Sequence, residues 1–244
     1  MKDNIFSEIK FALEGRKVGN VYNHSFFSVL IPLVFKGDQI HILFEKRSSK
    51  LSSQPGDVCF PGGAVEGDEN PVETALRETE EEIGINRESI KVLGRGNDLY
   101  GFNNFTIHTV IGSFAPDSLK YIEPSPGEVA GIFTVPLKWF IQNPPRLYPV
   151  ERISRPLEGF PYEEMQMTDW HSWRISKHEL PIWTYEGEES YIWGEKQSKT
   201  FIWGITGDML LDFLRLPELI KLFEGNELST EEGINTTSKK AMRK

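Results

Sequence analysis

Short runs of apolar residues along this chain predict a series of β-strands. They cover residues 26–35, 40–44, 90–93, 105–114 and 129–135, and a further pair lies at 191–193 and 200–203. The Lys-Gly-Asp sequence at 36–38 has the composition of a hairpin turn, so the first two strands are predicted to pair. The last two runs predict a second hairpin late in the chain.

Four other stretches have helical character: residues 4–15, 71–84, 137–142 and 206–216. The second is the strongest, because Asn70 can cap it, Pro71 suits its first turn and Gly84 suits its end. The apolar stripe of that helix consists of Val72, Ala75, Leu76, Thr79 and Ile83. The expected inward positions of the first helix are Ile5, Ile9, Phe11 and Leu13.

Composition divides the chain into regions. We expect a helical extension in residues 1–24, the main domain in residues 25–223 and a mobile polar tail in residues 224–244. Within the main domain, the segment from about 143 to 190 is rich in Pro, Trp and Glu and shows no clear period. We expect it to be an insertion with irregular structure, placed before the C-terminal helix.

One flank of the strongest helix is acidic. Glu78 and Glu82 lie four residues apart on it with Glu81 beside them, whereas Glu73 and Glu80 fall on the opposite flank. At about 5 Å and an effective dielectric constant of about 20, each ionised pair repels by roughly 3 kcal/mol before screening. A hard cation such as Mg²⁺ or Mn²⁺ would convert that repulsion into binding. The simpler interpretation is a solvated acidic face.

Charge and composition narrow the classes of function. The chain has 36 acidic and 27 basic residues and a formal charge of -9, which does not favour nucleic-acid binding. Cys59 is the only cysteine, so it forms no internal disulfide, and its apolar neighbours predict a small buried side chain. The N-terminus lacks a signal-peptide core, and the longest apolar run, 29–35, is too short to span a membrane. We therefore expect a cytoplasmic location.

The residues around the acidic flank form a motif. Residues 63–85 read GAVEGDENPVETALRETEEEIGI and resemble the Nudix box, G-x5-E-x7-R-E-U-x-E-E-x-G-U, in which U is a bulky apolar residue. Thr79 at the first apolar position is the one departure. The agreement is specific enough to outweigh the solvated-face interpretation. The agreeing positions are Gly63, Glu69, Arg77, Glu78, Glu81, Glu82, Gly84 and Ile85.

The resemblance to Nudix hydrolases implies a fold and a chemistry. The fold would be an α/β/α sandwich with a mixed central sheet, in which a strand, a loop and a helix carry the box. Glu78 and Glu82 would bind Mg²⁺ or Mn²⁺. Glu81 would be a further ligand, or the base that helps water to attack phosphorus. Glu69 and Arg77 would form a supporting pair that holds the loop on the helix.

The segment upstream of the box resembles a subgroup signature. Residues 43–63 read LFEKRSSKLSSQPGDVCFPGG and are similar to the signature of coenzyme A pyrophosphatases. Phe44, Glu45 and Ser52 depart from it, the last where the subgroup has a second Arg. Residues 201–210 also resemble the final strand and helix of the subgroup. The agreeing positions are Leu43, Arg47, Ser48, Gly56, Phe60, Pro61, Gly62 and Gly63.

The subgroup resemblance implies hydrolysis of coenzyme A or acyl-CoA to adenosine 3′,5′-bisphosphate and (acyl-)4′-phosphopantetheine. Gly62 and Gly63 would lie against the substrate. Arg47 would contact a substrate phosphate, unless it belongs to a structural ion pair. Lys50 would replace the missing Arg, unless it is simply a solvated lysine in a polar loop. Glu128 is the candidate for a carboxylate outside the box, with a plain strand-end role as the alternative.

Two other functions stay open. One is a Nudix pyrophosphatase for ADP-ribose or dinucleotide polyphosphates. The other is a Nudix-fold regulator that binds a metabolite without hydrolysing it, although the intact acidic set argues against this. The insertion contains Trp170, Trp173 and Trp183, which would enclose part of the substrate, pack in the core or form a homodimer contact. Neither a nucleic acid nor a membrane is expected as a partner.

Overall fold

The structure is a computed structural model that describes residues 2–16, 18–153, 158–166 and 175–224. These residues contain five α-helices and twelve β-strands, joined by loops and three short 3-10 helices. The elements are α1 (Lys2–Leu13), β1 (Ser25–Lys36), β2 (Gln39–Arg47), β3 (Val58–Cys59), β4 (Gly62–Ala64), α2 (Pro71–Ile83), β5 (Lys91–Arg95), β6 (Leu99–Gly101), β7 (Phe105–Phe114), β8 (Val129–Pro136), α3 (Leu137–Gln142), β9 (Arg146–Ile153), β10 (Ile175–Tyr185), β11 (Tyr191–Gly194), β12 (Thr200–Ile202), α4 (Gly204–Leu214) and α5 (Pro217–Glu224).

The central sheet of the described residues is mixed. Its strand order is β11-β8-β2-β1-β7-β5, with β3, β4 and β6 pairing on β2, β1 and β7. β1 and β7 are parallel, whereas β1 with β2 and β2 with β8 are antiparallel. The hairpin predicted at 36–38 and the mixed character of the sheet are therefore confirmed.

Helices cover both faces of this sheet. Successive residues of a strand point to opposite faces, so a single strand contributes to the packing on both sides. On β1, Leu30 joins the apolar cluster under α2, and its neighbour Ile31 joins the cluster under α3 and α4. Ala75 and Ile83 of α2 and Leu210 of α4 are each 0% exposed. The protein is therefore the expected α/β/α sandwich.

Helix α2 begins and ends where the sequence predicts. The Asn70 side chain accepts hydrogen bonds from the backbone N–H groups of Val72 at 3.0 Å and Glu73 at 3.1 Å. The Glu73 carboxylate in turn accepts from the Asn70 N–H at 2.9 Å, which completes a capping box. Gly84 ends the helix with a left-handed φ of 76°. These caps fix the position of the acidic flank along the helix.

A second sheet occupies part of the predicted insertion. β9 and β10 pair antiparallel, and β12 adds a third strand in the order β12-β10-β9. The expectation of irregular structure between 143 and 190 was therefore wrong for these strands. Pro149 and Pro181 hide their pattern, because proline removes a ladder hydrogen bond and is tolerated where only one side of a strand is paired. Pro149 lies on the edge strand, and Pro181 lies outside the stretch of β10 that pairs with β12.

The predicted late hairpin was also wrong. β11 pairs with β8 at the edge of the central sheet, whereas β12 pairs with β10 in the small sheet. Both runs are strands, but each one completes a different sheet. An apolar run predicts a strand but does not specify which other strand it pairs with. In the same region, the helix predicted at 206–216 is confirmed as α4, and α5, which begins at Pro217, was not predicted.

The apolar side chains of α1 do not point inward as expected. The helix forms, but its residues join neither apolar cluster. An amphipathic pattern identifies the apolar face of a helix and does not supply a surface to cover it. The four predicted inward residues are between 51% and 80% exposed: Ile5, Ile9, Phe11 and Leu13.

Some predictions fall outside the described residues. Trp170, Trp173 and the polar tail beyond residue 224 belong to this group. Trp183 is described and is 2% exposed, with its ring N–H donating to the Asn143 carbonyl at 3.0 Å. Trp183 therefore packs in the core, which was one of the three roles considered for these tryptophans. Across the described ranges, no helix is long and apolar enough to cross a membrane.

Replacing Phe44 with Ala is expected to destabilise the fold by about 3–5 kcal/mol, the usual loss for a buried aromatic ring. Phe44 is 0% exposed and its ring stacks on Phe60 at 5.1 Å and on Phe133 at 5.4 Å. Urea unfolding would measure the free energy of unfolding. Phe35→Ala is the control, since Phe35 is 52% exposed on β1 and its loss should cost less than about 1 kcal/mol. Equal losses in the two variants would contradict this account of the core.

Candidate active site

The turn before the box lies against the sheet. β4 pairs with β1 at Phe27–Val29, and the Pro61 carbonyl accepts from the Leu30 N–H at 2.9 Å. A Cβ on Gly62 would lie 2.3 Å from the Ser28 carbonyl oxygen, so only glycine permits this approach. The turn therefore presents the N–H of Gly62 at a fixed place above β1.

Glu82 of α2 meets that turn. It is 7% exposed, and its Oε2 accepts a hydrogen bond from the Gly62 N–H at 2.8 Å. Burial and the negative charge of Glu45 raise the pKa of Glu82 well above its ordinary range, and the bond from Gly62 offsets this only in part. The positive charge of Arg47 also opposes the shift, but it does not outweigh the effect of burial.

Glu78 lies one helical turn earlier, against Gly63. A Cβ on Gly63 would lie 2.4 Å from the carboxylate carbon of Glu78, so the absent side chain makes room for the carboxylate. Arg77 Nη1 donates to Glu78 Oε1 at 2.8 Å. Burial raises the pKa of Glu78, and Arg77 opposes that shift. Glu78 and Glu82 both line the same cleft.

Glu81 is arranged differently from the other two box carboxylates. Its side chain is 55% exposed and accepts from Arg77 Nη1 at 3.1 Å. It does not line the cleft that Glu78 and Glu82 share. Within the part of the chain that the structure describes, no three His, Cys, Asp or Glu side chains are arranged as ligands around one cation position. In this arrangement Arg77 holds Glu78 and Glu81, and the turn holds Glu82.

Arg77 also forms a forked ion pair with Glu69. Its Nε donates to Glu69 Oε1 at 2.8 Å and its Nη2 to Glu69 Oε2 at 3.1 Å. The hydrogen bonds from Arg77 hold the pKa of Glu69 at about 2, far below its usual range. Arg77 Nη2 donates in addition to the Ala64 carbonyl at 3.1 Å. One guanidinium thus ties the loop after β4 to α2.

Glu45 is a fourth carboxylate at this place, and sequence reasoning missed it. It is 1% exposed on β2, and its Oε1 accepts from the Cys59 thiol at 3.1 Å. Its Oε2 is buried and has no hydrogen-bond partner among the described residues. Burial raises the pKa of Glu45, while Cys59 and Arg47 act in the opposite direction. The signal in the sequence was a charged residue directly after the apolar run at 40–44.

Cys59 was expected to be a buried apolar side chain. The structure shows a partly buried residue whose thiol donates to Glu45. Burial and the charge of Glu45 raise the pKa of the Cys59 thiol, which favours the neutral form. Cys59 therefore takes part in the polar network of the site.

Glu128 lies near this acidic group but not in the cleft. Its negative charge raises the pKa of both Glu45 and Glu78, and it is absent from the residues that line the cleft. The Glu128 carbonyl accepts from the Ser48 N–H at 2.7 Å. The loop before β8 also bonds to the end of α2, where the Ser125 N–H donates to the Glu82 carbonyl at 2.9 Å.

The cleft has a volume of about 950 Å³ and extends well beyond the box. Arg47 lines it, as predicted for a substrate contact, and Arg47 Nε donates to the Ser53 carbonyl at 3.3 Å. Lys50 does not line it and belongs to a separate pocket of about 400 Å³ with Trp193 and Glu195. Besides Glu78, Glu82 and Arg47, the cleft is lined on its box side by Gly62 and Gly63, and elsewhere by Arg152, His178, Gly204 and Asp208.

Glu78 and Glu82 offer oxygen ligands of the kind that a hard divalent cation takes, although the described residues do not assemble a complete set of three. Glu45, Glu78 and Glu82 all have pKa values raised by burial, and one oxygen of Glu45 lacks a partner in the described part of the chain. Carboxylate oxygens are the ligands that Mg²⁺ and Mn²⁺ prefer. A cation at this place would add to the positive charge of Arg77 beside Glu78 and of Arg47 near Glu45 and Glu82.

This combination of fold and acidic cleft defines the class of protein. The family model of the NUDIX domain matches residues 25–155. The chain belongs to the Nudix family, whose hydrolases act on small-molecule pyrophosphates and generally need divalent metal ions.

Particular relatives bear names that indicate narrower activities. A peroxisomal coenzyme A diphosphatase of Mus musculus is 33% identical over 159 residues, which are 64% of this chain and 66% of that protein. Nudix hydrolase 3 of Caenorhabditis elegans is 36% identical over 139 residues, 56% of this chain and 58% of that protein. The matched segment thus spans less than two thirds of the length of either relative. The name of the mouse relative gives a peroxisomal location for that protein. The cytoplasmic location expected for this chain stays a prediction.

Among solved structures, a binary complex of a Caenorhabditis elegans Ap4A hydrolase is similar with a TM-score of 0.40 and 20% sequence identity. The similar region covers 48% of this chain and 83% of that one. A similarity of this size carries no argument about the substrate.

Replacing Gly63 with Ala is expected to lower pyrophosphohydrolase turnover by roughly 100-fold, because the new Cβ must displace the Glu78 carboxylate and a shift of about 1 Å can cost that much. Steady-state hydrolysis and circular dichroism would be measured together. Gly94→Ala is the control, since a Cβ there meets nothing within 4 Å. A Gly63→Ala enzyme with unchanged turnover would show that the position of Glu78 is unimportant.

Proposed function

We propose that this protein hydrolyses the diphosphate of coenzyme A or acyl-CoA in a reaction that depends on a divalent metal ion. The observation that carries the proposal is the buried Glu82 carboxylate at the Gly62 turn, 2.8 Å from its N–H, with Glu78 in the same cleft. Such a group is costly to bury alone and becomes favourable beside a cation and a bound anion.

Glu78 and Glu82 are the proposed ligands of Mg²⁺ or Mn²⁺, and Glu45 and Glu128 are the nearby carboxylates that add negative charge. When bound, the metal neutralises charge on the diphosphate and lowers the pKa of water. Glu81 is the proposed further ligand or the base that takes a proton from the attacking water. Its present partner Arg77 holds it 3.1 Å away, so either role requires that contact to change.

The proposed reaction balances without a protein nucleophile. The oxygen of water forms a bond to one phosphorus, the bond from that phosphorus to the bridging oxygen breaks, and the bridging oxygen leaves with the other phosphate. With coenzyme A the products are adenosine 3′,5′-bisphosphate and 4′-phosphopantetheine, and an acyl group stays on the second product.

Arg47 is the proposed contact to the phosphates. It lines the cleft near the box, and it forms no ion pair with a described carboxylate. An unpaired guanidinium in a cleft is suited to phosphate, which it can bind through two parallel hydrogen bonds. The alternative of a structural ion pair is not what the described contacts favour. Lys50 is not retained in this proposal, because it lies in a different pocket.

The choice of coenzyme A among diphosphates has three supports. They are the signature at 43–63, the name of the mouse relative and the shape of the cleft. A volume of about 950 Å³ is suited to a ligand much larger than a diphosphate. Phe27, Phe105 and Leu180 line part of it and offer an apolar surface for a pantetheine arm.

The alternatives differ from this proposal at defined points. A pyrophosphatase for ADP-ribose or dinucleotide polyphosphates would use the same box with another nucleotide. A regulator that binds without hydrolysis has no use for buried carboxylates with raised pKa values, and the intact set of Glu78, Glu81 and Glu82 argues against it. Location and homodimer formation stay predictions.

Replacing Glu82 with Gln is expected to lower kcat by about 1000-fold or more, in the range of losses seen when a group that stabilises transition-state charge is removed. Binding of Mn²⁺, measured by electron paramagnetic resonance, should weaken in parallel. Glu80→Gln is the matched control, because Glu80 is on the same helix and pairs with Arg87 outside the cleft. If Glu82→Gln retains full turnover, the metal is held elsewhere.

A substrate comparison is expected to rank coenzyme A first. Coenzyme A, acetyl-CoA, ADP-ribose and diadenosine tetraphosphate would be compared at equal concentration with Mg²⁺ and with Mn²⁺, and kcat/KM measured for each. We expect the kcat/KM of coenzyme A or its acyl form to exceed that of the other compounds by about 10-fold or more. The reason is that the apolar surface of Phe27, Phe105 and Leu180 would bind the pantetheine arm in addition to the nucleotide. A preference for ADP-ribose would remove the coenzyme A assignment and leave the Nudix chemistry intact.

A further inference from the structure

The cleft has a second polar region, which we call the ribbon wall: Arg152 of β9, His178 of β10 and Asp208 of α4. All three line the cleft that also contains Glu78 and Glu82. None belongs to the Nudix box or to the signature at 43–63. The ribbon wall therefore faces the space that a substrate would fill beyond its diphosphate.

Arg152 is held in place without being neutralised. Its guanidinium lies over the ring of Phe102 at 4.3 Å from the ring centre. It has no ion pair with any carboxylate in the described ranges. Stacking on an aromatic ring fixes the plane of a guanidinium and leaves its N–H groups free to donate at the edge. Arg152 is thus a positioned cation that interacts with Asp208 through its charge but forms no ion pair with it within 4 Å.

His178 has an unused hydrogen-bonding atom. Its Nδ1 is buried and has no partner among the described residues. Leaving such an atom without a partner is unfavourable, so a ligand that supplies a partner gains affinity. Register places His178 opposite Val150 on β9, so it lies two residues along the ribbon from the level of Arg152.

Cationic side chains near the ribbon wall offset part of the negative charge of its acidic residues. Burial raises the pKa of Asp208, while His178 and Arg152 act in the opposite direction. Glu151 also lines the cleft, and its carboxylate forms an ion pair with the Lys177 ammonium at 3.4 Å. These contacts limit the repulsion that an approaching anion would meet.

We propose that Arg152 and His178 form an anion subsite that binds a phosphomonoester of the substrate, separate from the diphosphate that is hydrolysed. The inference rests on the proposed function, because it places the diphosphate at Glu78 and Glu82. A phosphomonoester carries about -1.5 to -2 charges near pH 7 and has three acceptor oxygens, which match a free guanidinium and an imidazole N–H. A phosphate on the 3′ or the 2′ oxygen of a ribose has this chemistry.

The test measures binding and does not need turnover. Isothermal titration calorimetry with Mg²⁺ present would compare 5′-AMP, adenosine 3′,5′-bisphosphate and adenosine 2′,5′-bisphosphate. We expect the wild-type protein to bind one bisphosphate at least about 10-fold more tightly than 5′-AMP, as one charge-assisted hydrogen bond provides. The preferred isomer identifies the position of the phosphate on the ribose.

Two variants assign the subsite to its residues. Arg152→Gln should weaken binding of the preferred bisphosphate by about 10- to 100-fold and binding of 5′-AMP by less than about 3-fold. His178→Ala should act in the same direction with a smaller loss. Arg146→Gln is the matched control, since Arg146 lies on the same strand over the Tyr148 ring at 4.7 Å and does not line the cleft. It should change neither affinity more than about 2-fold.

Two results would overturn the inference. One is a wild-type protein that binds 5′-AMP as tightly as both bisphosphates, a result that stands even if a variant fails to fold. The other is an equal loss for 5′-AMP and bisphosphate in Arg152→Gln, which would show a general effect of charge.

Failure of the proposed function is a separate result. Turnover of coenzyme A and 3′-dephospho-CoA would be measured beside the binding experiment. Selective bisphosphate binding with no hydrolysis of coenzyme A would remove the proposed substrate and retain the subsite. Hydrolysis of both compounds with equal kcat/KM, together with equal nucleotide affinities, would remove the subsite and retain the proposed reaction.

Discussion

The hydrogen bond between the Glu82 carboxylate and the Gly62 N–H determines how the site is assembled. It joins α2, which covers one face of the central sheet, to β4, which pairs with β1 inside that sheet. Burying a carboxylate costs several kcal/mol, and one neutral donor offsets only a part of that cost. A neutral side chain would be less costly to bury here, so a carboxylate at this position is more typical of a functional group than of a stabilising one.

Arg77 supplies positive charge to the acidic group, and the glycines of the box leave room for its carboxylates. Arg77 supplies positive charge to Glu69, Glu78 and Glu81, whereas Glu82 and Glu45 have no comparable partner in the described contacts. The glycines remove side chains at the two places where backbone and carboxylate must approach. Arg77 therefore compensates Glu69, Glu78 and Glu81 within the protein, whereas Glu82 and Glu45 are the carboxylates that a cation is proposed to compensate.

How much the sequence predicts depends on whether the signal is local. The capping residues of α2 and the turn at 36–38 act within a few residues, and the structure confirms the helix and the hairpin. Which strand pairs with β11 or β12 is decided by sheet edges far away in the chain, and the predicted late hairpin failed for that reason. Glu45 was missed because its importance comes from neighbours 14 and 37 positions away, Cys59 and Glu82, that meet it only after folding.

The same distinction explains why the predicted insertion matters. Its strands carry no motif, and the prolines in β9 and β10 hide their period, so no local pattern in the sequence marks Arg152 or His178 as functional. Folding places both side chains along the cleft that the box opens. In the proposed function the box contains the groups that act on the diphosphate, whereas β9 and β10 would contact the part of the substrate beyond it. Recognition of the rest of the substrate is therefore expected to vary with the ribbon, while the acidic group on α2 stays constant.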